Sequence, residues 1–576
     1  MFKILNDSLT FLSFRDRRNL ILFGVLHMML SIFDLLGVFL IGIVSTVMIS
    51  AFNSNFNSKQ VATILELFNV ENFAVQNQVF IMSSLAGLVL ILKSIFSMVI
   101  TKKMYRFLSN RAGIISSNLM SSFFEQPLWF VSKRPIQEIT YSLTIGVSRI
   151  VNNLLGGFVI IIADVSLLLV LLFSLFIFSP ISSITTILLF GITAILLNKG
   201  ISKTISELGT NVSRYDIARR EIVDQFVTNY REIHVLGLKN FYSGKFRKVQ
   251  LNFTAAEGEI LFLGGVTKYV FEIVLVISSM VVGVTQFLLY SGYSAITSLS
   301  VFIAASTRIL PAILRLQTGV FSMRVSKEIA KPVFELVAEL NDMVETGSKL
   351  IPREKPPKFD ASIEFSNVTF AYPDDGKEIF TNLSFHIKAG DFIGIKGPSG
   401  SGKSTLVDIM LGLIQPASGS VLISNLTPNE AVKVWPGKIG YAPQTFSLFP
   451  GSIMTNISVG QEPTYIDEAR CWEVLSQVGL YDFVKSLKDG LNSKIVDRGI
   501  NLSGGQKQRL MLARCLFSDP EIIILDEITS SLDLESANIL KETISKFRGE
   551  KTIVLITHQE FMVEEANQVI FVGPSF

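Results

Sequence analysis

The sequence predicts two domains of different class: an all-α domain of six membrane-spanning helices over residues 1–325 and an α/β domain with a largely parallel sheet over residues 361–576, joined by a linker over 326–360. Three observations carry this. Six apolar stretches, roughly 20–49, 79–100, 153–178, 181–198, 260–289 and 296–317, are each near the ~20 residues that cross a bilayer. From Ala361 onward short apolar strand runs alternate with helices, the pattern of a parallel sheet. Between them lies Ile351-Pro352-Arg353-Glu354-Lys355-Pro356-Pro357, a proline-rich and charged boundary.

Composition agrees. Hydrophobic residues make up 49% of the 576 and charged residues 17%, with a mean hydropathy of +0.47; soluble chains carry roughly 25% charge. The net charge of +3 is too small to suggest a nucleic-acid partner. The two cysteines, Cys471 and Cys515, have no metal spacing and read as buried reduced thiols.

The first apolar run is too long for a signal peptide and lacks a small-residue cleavage site, so it reads as a retained span. Arg15, Arg17 and Arg18 precede span one. Lys102, Lys103 and Arg106 follow span two, Lys199 and Lys203 span four, and Arg324, Lys327 and Lys331 span six. Lys59 is the exception on the other side. This asymmetry predicts a multi-pass protein with cytoplasmic N- and C-termini. Spans three and four meet at Ser179-Pro180 in a tight hairpin.

The connections 101–152 and 199–259 are charged and keep helical apolar spacing. They read as helical continuations into the cytoplasm, with short turns in Gln126–Pro135 and Asp224–Tyr242. In the outer connection 51–78, Val61, Ile64, Leu65 and Phe68 form one apolar helix face. Two readings stand for segment 58–70: a helix against a lipid tail, or one packed on its own bundle.

The strand 392–396 leads into Gly397-Pro398-Ser399-Gly400-Ser401-Gly402-Lys403-Ser404-Thr405. This is a phosphate loop in its strand–loop–helix setting. Glycines let backbone N–H groups face phosphate oxygens, and the following helix adds its positive end. Lys403 is placed for the β- and γ-phosphates and the Ser404 hydroxyl for Mg²⁺. Downstream, Ile522-Ile523-Ile524-Leu525 ends in Asp526 and Glu527. Four apolar residues in a row suit a central parallel strand. At its tip, Asp526 is placed to hold Mg²⁺ through water and Glu527 to polarise an attacking water.

Leu502-Ser503-Gly504-Gly505-Gln506 resembles the signature of ATP-binding-cassette (ABC) ATPases, and motifs along essentially the whole chain fit that family in order. The resemblance implies an exporter-type membrane domain plus an ABC nucleotide-binding domain, with ATP and Mg²⁺. By it, Tyr372 stacks on adenine, Gln444 senses Mg²⁺ and water, and Asp533 links the two sites. His558 contacts the γ-phosphate, and Asp497-Arg498-Gly499 touches the coupling helices. With Glu527 and His558 present, it implies ATP hydrolysis by in-line attack of water. One cassette and one six-span domain imply a homodimer with two composite sites, in which Ser503, Gly504, Gly505 and Gln506 close on the partner's nucleotide. The chain departs from the family at its end, Phe576, soon after the strand Gln568–Val572. No peptidase domain precedes span one, so a peptide-processing exporter is not expected.

Seven charges fall within the spans: Asp34, Lys93, Asp164, Lys268, Glu272, Arg308 and Arg315. Charges are costly in lipid and point to function or pairing. Arg308 and Arg315, seven apart around Pro311, share a helix face. With Lys268 they are the candidate substrate residues, a basic stripe suited to phosphate; Arg315 also stands where it can snorkel. Asp34, Asp164 and Glu272 read equally as partners to Lys93 or Lys268. Paired basic residues plus the outer helix resemble bacterial lipid-linked oligosaccharide flippases, which implies a polyprenyl-pyrophosphate cargo. Other lipids, glycolipids, drugs or peptides remain as cargo. A membrane ATPase that gates a channel is the alternative of another class.

Overall fold

The computed structural model describes residues 2–52, 66, 73–178, 180–289, 292–346, 358–372, 378–445, 447–495, 502–529 and 534–573. The chain divides into two compact units, Met1–Gln126 with Phe130–Gly347, and Pro127–Trp129 with Ser348–Phe576.

Among its described residues the first unit consists of helices and the turns between them, with no strand. After α1 (Phe2–Thr10) come α2 (Phe14–Phe52), α3 (Val75–Phe124) and the short α4 (Leu128–Ser132). Next is α5 (Ile136–Tyr141), which runs through two wider π-helical stretches, Ser142–Gly146 and Arg149–Leu155, into α6 (Gly156–Phe178). Then follow α7 (Pro180–Thr228), α8 (Tyr230–Val235), α9 (Lys239–Leu289), α10 (Gly292–Ile329) and α11 (Lys331–Thr346). Pro180 opens α7, where its missing N–H costs nothing.

Helix length explains the shape of this unit. The 50 residues of α3 at ~1.5 Å each span about 75 Å, more than twice a hydrocarbon core of ~30 Å. Helices α7 and α9 are as long, so the spans continue well beyond the lipid. The two turns carry the short helices α4 and α8, inside the segments read as turns. Five helical segments among the described residues are long and apolar enough to cross a membrane, starting at Phe14, Val75, Ile136, Pro180 and Lys239. The sixth stretch lies in α10, which carries Arg308, Arg315 and an internal Pro311. Segment 58–70, apart from Glu66, lies outside the described residues.

One boundary differs from the sequence reading. Residues 331–346, read as linker, form α11 and belong to the first unit. Val333, Leu336 and Leu340 recur at helical spacing and are buried. Val333 joins the cluster of Leu12, Leu20, Met104, Leu108 and Val151.

In the second unit a five-stranded parallel sheet runs in the order β10 (Gln568–Phe571), β3 (Phe392–Lys396), β9 (Thr552–Ile556), β8 (Ile522–Asp526), β5 (Ile439–Ala442). A three-stranded antiparallel sheet orders β2 (Glu378–Ile387), β1 (Ile363–Ala371), β4 (Ser418–Ile423), and β6 (Gly451–Ser452) pairs with β7 (Lys494–Ile495). Successive strand residues face opposite sides. Ile523, Leu525, Ile553 and Leu555 enter one core, and Ile522, Ile524, Val554 and Ile556 the other. Burial on both faces is why these strands are apolar throughout. The helices of this unit are, in order, α12 (Lys403–Met410), α13 (Pro428–Val434), α14 (Ile453–Ile457), α15 (Glu468–Gln477), α16 (Tyr481–Ser486) and α17 (Gly504–Phe517), followed by Leu534–Ser545; α15 and α17 close the first core and α12 the second. Residues Pro127–Trp129 belong to this unit: the Leu128 N–H donates to the Leu413 carbonyl at 3.0 Å, and Leu128 and Trp129 pack beside the second core.

Both cysteines are buried among apolar neighbours. Burial first, with nearby acids, pushes the Cys471 thiol up to about 11, and burial pushes Cys515 up to about 12. Neither is a thiolate at neutral pH. The native protein at pH 8 is expected to leave both thiols unmodified by Ellman's reagent, with both titrating after denaturation; fast labelling of the native chain would contradict this packing.

Candidate functional site: a nucleotide site at the carboxyl ends of the parallel strands

The candidate residues of the second unit gather because each follows a strand at the same end of one sheet. Gly397 follows β3, Gln444 follows β5, Glu527 follows β8 and His558 follows β9. Parallel strands put these ends side by side, the usual place for a ligand in open α/β sheets.

The loop after β3 is shaped by glycines. A Cβ on Gly397 would lie 2.0 Å from the Val572 carbonyl oxygen. Gly402 has φ of +93° and caps α12; a Cβ there would meet Ile379 at 2.3 Å. Only glycine fits either position. Lys403 is buried, and its ammonium donates to the carbonyls of Gly397 and Pro398, both at 3.0 Å. Ser401 Oγ is buried with no hydrogen-bond partner among the described residues. A curled loop with an unspent hydroxyl and a lysine held over it fits a polyphosphate. Ser399 and Gly400 are at the loop's surface, and Ser404 and Thr405 open α12. The Tyr372 hydroxyl lies 3.2 Å from Thr405 Oγ1, and the Tyr372 ring meets Phe370 edge-on at 5.1 Å.

Glu527 is the hub. Its Oε2 accepts from Gln444 Nε2 at 2.6 Å. Its Oε1 is 3.0 Å from His558 Nε2 and 3.9 Å from Lys403 Nζ. Its backbone has φ of +47°, a left-handed conformation unusual outside glycine, and its N–H donates to the Ile556 carbonyl at 2.9 Å. The chain thus turns sharply on leaving β8 and aims this carboxylate back at the phosphate loop. Asp526, one residue earlier, is buried at the strand tip. Among the described residues no three His, Cys, Asp or Glu form a metal cage. Ser404, Asp526 and Gln444 supply a hydroxyl, a carboxylate and an amide, hard oxygen donors of the kind Mg²⁺ takes alongside phosphate.

In the signature, Ser503 caps α17. Gln506 N–H donates to Ser503 Oγ at 3.2 Å, and Ser503 N–H donates to Gln506 Oε1 at 2.9 Å. This reciprocal box leaves Gly504 and Gly505 as the first helical residues, with their N–H groups unspent by the helix. Asp533 and Asp497-Arg498-Gly499 lie outside the described residues.

The sequence reading missed two contributors. Asp408, half-buried on α12, is placed to raise both Asp526 and Tyr441 by its charge. Arg514 donates to the Asn456 carbonyl at 2.7 Å and the Ser447 carbonyl at 3.2 Å, pinning the segment after Gln444. No spacing rule announces either, since both contacts join distant residues.

The seven charges within the spans each lie within 3.9 Å of an opposite charge, at very different closeness. Arg315 Nε and Nη2 donate to Asp164 at 3.0 and 2.6 Å, joining α10 to α6. Lys93 is 2.6 Å from Asp34, joining α3 to α2, and Arg308 is 3.9 Å from Asp34. Lys268 faces Glu272 at 3.8 Å on its own helix. The sequence offered Lys93 or Lys268 as partners for Asp164. The structure gives it to Arg315, because α6 packs along α10 while Lys268 finds Glu272 one turn away.

Residues 380–530 match the family described as ABC transporter. The alpha-hemolysin translocation ATP-binding protein of Escherichia coli is 37% identical over 242 residues, 42% of this chain and 34% of that protein. The ATP-dependent lipid A-core flippase of Ralstonia nicotianae is 24% identical over 471 residues, 81% of this chain and 78% of its own. A solved bacterial Atm1-family ABC exporter with ATP bound superimposes with a TM-score of 0.74 at 19% identity, over 96% of this chain and 94% of that one. The chain spans about a third of the length of the first relative, and more of the flippase. Its second unit carries an ABC transporter ATP-binding domain. The chain as a whole has the fold of that solved exporter.

Burial first, then Glu527 and Asp408, pushes Asp526 up to about 6. A carboxyl raised above its unfolded value stabilises the fold fully below that value, and the contribution is lost as pH rises through about 6. In Mg²⁺-free protein, Asp526→Asn is therefore expected to raise Tm by a few degrees at pH 7.5, with the gain shrinking toward pH 5. An equal or lower Tm for the variant at pH 7.5 would show that the carboxylate is not held against its own burial.

Proposed function

We propose that this protein hydrolyses ATP to export or flip an amphipathic substrate across the cytoplasmic membrane, working as a homodimer with both termini cytoplasmic. The observation that carries this is Glu527, aimed by its turn at the phosphate loop and steadied by Gln444, His558 and Lys403.

The chemistry follows from those positions. Lys403 exchanges the loop carbonyls it now bonds for phosphate oxygens. Tyr372 offers its ring to adenine. Mg²⁺, when bound, neutralises phosphate charge, and Ser404, Gln444 and Asp526 would hold it. Glu527 accepts a hydrogen bond from the attacking water and orients it in line. His558 and Lys403 bear on the γ-phosphate as charge develops. The free N–H groups of Gly504 and Gly505 suit an anion, and the partner's nucleotide supplies it. Asp533 links the two sites.

The cargo is read from the first unit. Arg308 and Arg315 lie on one helix among spanning helices, with Lys268 as a further candidate, and a phosphate-bearing head group suits them. The leading cargo is a polyprenyl-pyrophosphate-linked oligosaccharide. A lipid A-core glycolipid is the second reading, favoured by the likeness to lipid A-core flippases over most of the chain.

In nanodiscs, Glu527→Gln is expected to cut ATP turnover by roughly 100-fold or more while ATP binding persists. Turnover near wild type would remove Glu527 from the chemistry. Wild-type turnover is expected to rise with polyprenyl-pyrophosphate oligosaccharide, and Arg308→Ala to abolish flipping while basal turnover stays. Stimulation by lipid A alone would favour the second cargo. Flipping that survives Arg308→Ala would take Arg308 off the path.

A further inference from the structure

The two arginines of α10 differ in how their charge is spent. Arg315 is closed onto Asp164 by two nitrogen donors, at 3.0 and 2.6 Å. Arg308 is not closed. Among the described residues the acid it pairs with is Asp34, 3.9 Å away, beyond hydrogen-bond reach. Asp34 is 1% exposed and sits on α2, where its Oδ2 takes Lys93 at 2.6 Å. The other oxygen, Oδ1, is buried and has no hydrogen-bond partner among the described residues. One carboxylate therefore faces two cations from two helices, satisfies one and leaves the other unmade. The cations are the accessible members: Arg308 is 32% exposed and Lys93 18%.

A buried carboxylate with one bare oxygen is costly unless a cation stands nearby. Arg308 supplies that charge at a distance, without the geometry of a closed pair. A guanidinium so placed is free to turn its donors toward an anion arriving from its open side. We propose that Asp34 is an internal counter-ion standing in for an anionic head group, so that a phosphate-bearing lipid binds Arg308 and Lys93 in competition with Asp34. This deepens the cargo reading and rests on it. It adds Lys93 to the head-group site and makes Asp34 the residue that sets affinity. Arg315 is then the latch that holds α10 to α6.

The test titrates polyprenyl pyrophosphate, and separately lipid A, into phosphatidylcholine nanodiscs holding the full-length protein, reading lipid-stimulated ATPase, with unphosphorylated polyprenol as the control. Asp34→Asn removes the competitor and is expected to lower the half-maximal lipid concentration several-fold. Asp34→Glu keeps the charge and reaches further toward Arg308. It is expected to raise the half-maximal concentration, and it serves where Asp34→Asn does not fold. A purely structural ion pair would lower Tm in these variants and leave the half-maximal concentration where it was; that result overturns the inference and leaves the cargo reading intact. Wild-type protein that answers neither anionic lipid sinks both.

Discussion

Glu527 and Asp34 are governed by one constraint: a charge removed from water must be met by a partner or it destabilises the fold. In the nucleotide site the constraint is met by convergence. Glu527 has an amide on one oxygen and an imidazole and an ammonium near the other. In the helical unit it is met by pairing across helices, α2 with α3 through Asp34 and Lys93, and α6 with α10 through Asp164 and Arg315. Each such pair also fixes how two helices face each other, because neither partner can be turned into lipid cheaply.

The two units use the constraint toward different ends. Around Glu527 the partners come from the ends of β5, β9 and the phosphate loop, all carried by a sheet buried on both faces. That backing is rigid, which is what in-line attack on a phosphate requires. Around Asp34 the partners come from separate long helices.

The signature adds a second kind of incompleteness. Ser503 and Gln506 satisfy each other, so the helix start is stable by itself. The glycines that follow present backbone N–H groups and no side chain. Such an element is built to receive an anion from outside its own helix, which is consistent with a composite site.

Much of this was legible in the sequence because it is local or periodic. Five of the six apolar runs fall in helices that, among the described residues, are long and apolar enough to cross a membrane. The β3 and β8 runs gave buried strands, and Gly397–Thr405 gave the phosphate loop, since glycine spacing and a following helix dictate its shape. Long charged connections gave the helical extensions of α3, α7 and α9. Seven-residue spacing put Arg308 and Arg315 on one face. Other features required the tertiary structure. That α11 belongs to the first unit rests on what Val333 packs against. That Asp164 meets Arg315 while Asp34 takes Lys93 and leaves Arg308 open rests on which helices lie side by side. That Glu527 points at Lys403 rests on a left-handed turn that no residue type announces. Sequence alone determined which chemical groups the protein has and which segments carry them, because those follow from spacing along one chain. Only the fold decided which charge meets which, because pairing depends on distances between residues far apart in sequence.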